Sequence, residues 1–197
     1  MARSILLALA GNPNVGKSTI FNTLTGSRQH VGNWPGKTVE KKSGHLNIYG
    51  VDAELVDLPG TYSLSAFSPE EKIARDFIIY EKPDVIINVV DASNLERNLY
   101  LTLQILETGV PTLLVLNMAD MADKRGCQID CHALSDSLGG IQVIPTNASC
   151  SNGLSELSEA ILQLSNSKSF RCPQYSNPRT SGKYKHKGHH HRHHGHH

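Results

Sequence analysis

The stretch Gly11-Asn12-Pro13-Asn14-Val15-Gly16-Lys17-Ser18 constrains this chain more than any other. It matches G-x-x-x-x-G-K-[ST] in full, after the apolar run Ile5–Ala10 and before the helical stretch Thr19–Thr25. That order, strand then glycine turn then helix N-terminus, belongs to an α/β unit. Gly11 and Gly16 let the backbone turn tightly enough for successive N–H groups to surround phosphate oxygens. Lys17 then offsets charge on the β- and γ-phosphates, and Ser18 is a magnesium ligand. A glycine-rich turn without a phosphate would explain neither Lys17 nor Ser18.

The rest of the chain agrees with a parallel sheet covered by helices. Candidate strands are Ile5–Ala10, Gly44–Tyr49, Ala53–Asp57, Val85–Val90, Thr112–Leu116 and Gln142–Ile144, several apolar throughout, as strands buried on both faces are. Leu95, Leu99, Leu103 and Leu106 recur at helical spacing and predict one apolar stripe on a helix ending near Gly109. Leu154, Leu157, Ile161 and Leu164 predict the same for a closing helix. The expected fold is α/β, with a six-stranded, mostly parallel sheet flanked by about five helices over residues 1–164.

Three further motifs fall at strand ends. Asp57-Leu58-Pro59-Gly60 puts a carboxylate where it can hold magnesium through water, and a glycine N–H where it can meet a γ-phosphate. Asn117-Met118-Ala119-Asp120 offers Asp120 to the N1–H and exocyclic amino group of guanine; adenine would leave that carboxylate unpaired. Thr146-Asn147-Ala148-Ser149 sets the Ala148 N–H toward the guanine O6. In this order and spacing the motifs imply a GTPase of the Ras-like P-loop fold. The nucleotide set expected from them is Gly11 to Thr19, Asp57 to Gly60, Asn117 to Asp120, and Asn147, Ala148 and Ser149.

Between the first two motifs lies His30-Val31-Gly32-Asn33-Trp34-Pro35-Gly36-Lys37-Thr38-Val39-Glu40. With GNPNVGKS and DLPGTYSLSAFSPEE, this string closely resembles the G domain of the ferrous-iron transport protein B family, over roughly residues 3–164. The resemblance implies a first switch in which Thr38 closes over magnesium and the γ-phosphate, with Gly36, Lys37, Val39 and Glu40 alongside the nucleotide. Magnesium would then be held by Ser18, Thr38 and Asp57. A second switch would run from Gly60 to about Glu71. The catalytic set implied is Lys17, Asn14, Thr38 and Gly60. Thr61 stands where Ras-like proteins have a water-orienting glutamine, so hydrolysis is expected to be slow. The resemblance also implies potassium activation, with Asn14 and the carbonyls of Gly32 and Trp34 as ligands; alternatively Asn14 only caps the turn, and Trp34 is a surface aromatic or a core anchor.

Family members continue into a helical regulatory domain and a permease, for which this sequence has no room. The implied role is therefore a nucleotide switch in ferrous-iron transport, acting on a separate membrane permease, either as a separately encoded domain or as a truncated product. A cytoplasmic location is expected, at the inner membrane's cytoplasmic face when partnered, with GTP-dependent dimers or oligomers as a further possibility. No apolar run reaches the roughly 18 residues of a spanning helix. Residues 1–164 carry twelve basic against eighteen acidic side chains, a net charge of −6, which argues against stable nucleic-acid binding by the domain. Cys127, Cys131 and His132 suggest a metal site only loosely.

Residues 165–197 hold seven of the 19 Lys and Arg and no acidic residue, and their composition predicts a disordered, basic tail. His189, His190, His191, His193, His194, His196 and His197 could supply imidazoles to a divalent transition metal. The alternative function is therefore a GTP-gated metallochaperone whose tail binds nickel, zinc or iron.

Overall fold

The computed structural model describes residues 4–146 and 153–167. Its centre is a seven-stranded sheet: β1 (Ile5–Gly11), β2 (Gln29–Asn33), β3 (Glu40–Ile48), β4 (Val51–Asp57), β5 (Val85–Asp91), β6 (Thr112–Asn117) and β7 (Val143–Pro145). The spatial order is β2-β3-β4-β1-β5-β6-β7. From β4 to β7 every neighbouring pair is parallel, whereas β2, β3 and β4 form an antiparallel meander. Six α-helices are described: α1 (Lys17–Thr25), α2 (Pro69–Asp76), α3 (Leu95–Glu107), α4 (Ala119–Lys124), α5 (Cys131–Ser137) and α6 (Leu154–Asn166). A π-helical turn, Phe77–Glu81, prolongs α2.

Period-two alternation divides the core between the two faces of the sheet. Leu7 and Leu9 of β1 join Phe21 of α1 and Leu157 and Ile161 of α6 on one side. Ala8 and Ala10 face Ile73, Phe77, Leu101 and Ile105 on the other. Both sides being covered, β1, β5 and β6 read as largely apolar runs, that of β5 interrupted by Asn88.

Two expectations need correcting. The sheet has seven strands because Gln29–Asn33 pairs with β3 as an edge strand. Its side chains are mostly exposed, so no apolar alternation marked it in the sequence. The stripe on α3 is also different: its buried positions are Asn98, Leu101, Thr102 and Ile105. Leu95, Leu99 and Leu106 are only partly buried against the core, and Leu103 is 51 % exposed. Two polar side chains on the buried face of α3, Asn98 and Thr102, explain this. Thr102 donates to Asn88 Oδ1 of β5 at 2.6 Å, and Asn98 Oδ1 accepts the Asp91 N–H at 3.2 Å, so α3 meets β5 partly through polar contacts. The closing helix α6 buries Leu157 and Ile161, with Leu154 and Leu164 packed against them. Among the described residues no group of three His, Cys, Asp or Glu is placed to hold a metal, and the loose Cys127, Cys131, His132 suggestion is withdrawn. No described helix is long and apolar enough to cross a membrane. The histidine tail lies outside the described residues.

Candidate functional site

The parallel register brings the C-terminal ends of β1, β4, β5 and β6 to one edge of the sheet, where α/β folds bind ligands. β1 delivers the glycine turn there. Gly16 caps α1 with φ 87°, and no side chain caps the helix, so the first-turn N–H groups of α1 remain available to an anion. Asn14 is exposed and takes φ 62°, a left-handed conformation that asparagine tolerates better than most residues.

β4 ends on Asp57, part-buried beside Lys17. The Lys17 ammonium bonds the Asp57 carboxylate directly and also donates to the Leu58 carbonyl at 2.7 Å. The lysine thus pairs with the motif that closes β4. The Thr61 N–H donates to the Gly11 carbonyl at 3.1 Å, and a Cβ on Gly60 would come within 3.1 Å of Pro13 Cα. Gly60 and Thr61 therefore lie across the glycine turn, where a side chain at position 60 would press on Pro13. The expected second switch, Gly60 to about Glu71, ends inside the first turn of α2, where Ser68 Oγ accepts the Glu71 N–H at 3.1 Å.

β6 brings in Asn117, buried, whose side-chain amide donates to the Val15 carbonyl at 2.9 Å. This bond braces the glycine turn against the loop carrying Asp120, which is exposed in the first turn of α4. Met118 takes φ 60° to make the turn between them. The Thr146 N–H bonds the Leu116 carbonyl at 2.8 Å, setting the start of the fourth motif beside the third. Asn147, Ala148 and Ser149 lie outside the described residues.

The string from His30 to Glu40 forms the β2–β3 hairpin and its tip. Since Lys42 of β3 pairs with Asp57, residues 34–40 project beyond the end of β4, at the same edge as the glycine turn. The tip is a tight turn: the Lys37 N–H bonds the Trp34 carbonyl and the Trp34 N–H bonds the Val39 carbonyl, each at 2.9 Å, and Gly36 takes φ 67°. Thr38, Gly36 and Lys37 are exposed there, as is Glu40, while Gly32 and Val39 are half-buried. The Trp34 side chain is a core anchor and not a surface aromatic. It is buried, meets the Phe77 ring edge-to-face at 5.7 Å, and carries Lys41 Nζ 4.8 Å above its ring. Phe77, at the start of the π-helical turn, was not singled out from the sequence. Its place in the apolar run Phe77-Ile78-Ile79 after α2 was the signal available.

Ser18 Oγ, Thr38 Oγ1 and the Asp57 carboxylate are hard oxygen donors of the kind magnesium takes, and Asp57 is at present engaged by Lys17. The donor chemistry fits magnesium, with Lys17 and the cation competing for one carboxylate. For a potassium ion the Asn14 side chain is accessible; the Trp34 carbonyl already accepts one N–H and keeps a second lone pair.

The family described as Ferrous iron transport protein B matches residues 5–161. The chain is 47 % identical over 180 residues to the Fe(2+) transporter FeoB of Escherichia coli (strain K12), covering 89 % of this chain and 23 % of that protein. It thus spans about a quarter of the length of the curated relatives it matches. Among solved structures, the cytosolic domain of the T. maritima FeoB iron transporter in GDP form I superposes with a TM-score of 0.82 at 44 % identity, over 87 % of this chain and 67 % of that one. The FeoB G-domain from Methanococcus jannaschii gives 0.73 at 48 % identity, over 83 % and 98 %. With its fold and its family match in agreement, the chain belongs to the ferrous iron transport protein B family, as its N-terminal, GTP-binding G domain.

Proposed function

We propose that this domain hydrolyses GTP to GDP and phosphate and uses the cycle as a switch in ferrous-iron transport by a membrane permease. The observation that carries the reading is the direct pairing of Lys17 with Asp57 at the sheet edge. Two opposite charges, each suited to part of a magnesium-nucleotide, neutralise each other where both would be needed.

In the proposed cycle the free N–H groups of the glycine turn and of α1 hold the α- and β-phosphates. Lys17 leaves Asp57 and the Leu58 carbonyl for the β- and γ-phosphate oxygens. Ser18, Thr38 and Asp57 would hold magnesium, which would supply positive charge against that building on the phosphates. The Gly60 N–H donates to the γ-phosphate, and Asp120, with Ala148, reads guanine. Water attacks the γ-phosphorus, the bond to the β–γ bridging oxygen breaks with its electron pair left on GDP, and the water's protons pass to phosphate and solvent. Thr61 is buried, with its main chain tied to Gly11, and is too short to orient that water as a glutamine does, which supports slow turnover. Potassium held by Asn14 and by the carbonyls of Gly32 and Trp34 would supply the positive charge an arginine finger gives elsewhere.

Solved relatives in GDP and GMPPNP forms support nucleotide cycling here. The permease partner, assembly into dimers and a place at the cytoplasmic face of the membrane belong to the same proposal. The test is GTP turnover by the purified chain in potassium and in sodium at equal ionic strength. Potassium stimulation lost in Asn14→Ala supports the cation role; equal turnover in both salts removes Asn14 from it, and no turnover in either removes the hydrolytic reading of the isolated chain.

A further inference from the structure

Asn12 is 3 % exposed, and neither Oδ1 nor Nδ2 of its amide has a hydrogen-bond partner among the described residues. Buried side-chain amides are nearly always paired, because leaving one unpaired forfeits its hydration for nothing. The two neighbours of Asn12 show where its partners come from. Gly11 accepts the Thr61 N–H, and Pro13 is covered by Gly60. The segment Gly60–Thr61 thus lies across both flanks of Asn12. On the strand side the polar groups are already matched: Asn88 donates to the Ala10 carbonyl at 3.4 Å and accepts from Thr102. Leu58, whose carbonyl accepts from Lys17, lies two residues before the segment over Asn12.

We infer that Asn12 is a positioning residue for the second switch: in the triphosphate-bound state its amide hydrogen-bonds the main chain of residues 60–62. There it holds the Gly60 N–H on the γ-phosphate. An unpaired buried amide favours whatever position of the segment supplies it with partners, and so biases the segment toward the triphosphate-bound one. A backbone clamp of this kind suits a chain whose residue 61 has no side chain long enough to order the attacking water. The inference rests on the proposed GTP switch.

The test uses the full chain with Asn12→Leu, close in shape but without polar atoms, and Asn12→Ala in case leucine impairs folding. Affinities for GDP and for a non-hydrolysable GTP analogue are measured together with hydrogen exchange of peptides covering residues 58–66. The expected result is an affinity loss for the analogue at least fivefold greater than for GDP, and failure of the analogue to slow exchange in that segment. Equal losses for both nucleotides overturn the inference. So does a raised melting temperature with the discrimination intact, which would make the amide only a tolerated buried polar group. Wild-type chain that binds neither nucleotide overturns the proposed function itself, a distinguishable outcome.

Discussion

Replacing Gly16 by alanine tests the brace between the glycine turn and the base-side loop. A Cβ there would stand 2.1 Å from Asn117 Nδ2, more than an ångström inside contact, so the amide must leave the Val15 carbonyl. Losing that buried bond costs about 1–3 kcal/mol. Alanine at φ 87° adds about 1–3 kcal/mol of backbone strain. The sum is about 2–6 kcal/mol, or roughly 5–20 °C in melting temperature for a domain of this size. The assay is urea denaturation of the nucleotide-free protein for Gly16→Ala, Asn117→Ala and the pair. Asn117→Ala already forfeits the brace, so in its background Gly16→Ala should cost only the strain, giving a coupling of about 1–3 kcal/mol. Strictly additive losses would mean that the glycine is required by its dihedral alone and that the brace reasoning is wrong.

Other outcomes follow from the packing. Ile105→Ala should destabilise by about 2–5 kcal/mol, whereas Leu103→Ala should stay within about 0.5 kcal/mol; the reverse order in urea melts would restore the leucine stripe. Trp34 is the sole tryptophan, so its emission reports the hairpin anchor: Phe77→Ala should red-shift it and raise acrylamide quenching, and an unchanged spectrum would contradict the anchor. Burial first, and the Asp130 carboxylate second, push the Cys131 thiol up. Less thiolate near neutral pH means that alkylation of Cys131 should lag behind that of exposed Cys127 and catch up as pH rises. Asp130→Asn, which can still accept the His132 and Ala133 N–H bonds, should speed it; peptide mass spectrometry distinguishes the two sites, and no acceleration would remove the carboxylate's share.

What the sequence revealed and what it hid divide along burial. β1, β5 and β6 were legible because strands covered on both faces can carry little but apolar side chains. The edge strand β2 was not, since a strand with solvent along it needs no pattern. The leucines of α3 misled because leucine marks a helix without saying which face is covered, and the covered face holds Asn98 and Thr102, residues that count as polar in any sequence pattern. The glycine turn was readable residue by residue, yet its companions were not: the bond from Asn117 to Val15 spans 102 positions, and Phe77 reaches Trp34 only through the fold.

The Lys17–Asp57 pair has a consequence for the order in which the pocket fills. A nucleotide arriving without its metal would draw Lys17 away and leave the Asp57 carboxylate facing phosphate oxygens of like charge. A metal arriving alone would take the carboxylate and strand the ammonium beside a dication. Each half-loaded state is opposed by repulsion, while the joint arrival gives each charge a new counter-ion. Under the proposed function the pair would act as a coincidence detector, favouring the metal–nucleotide complex as one unit over either component on its own.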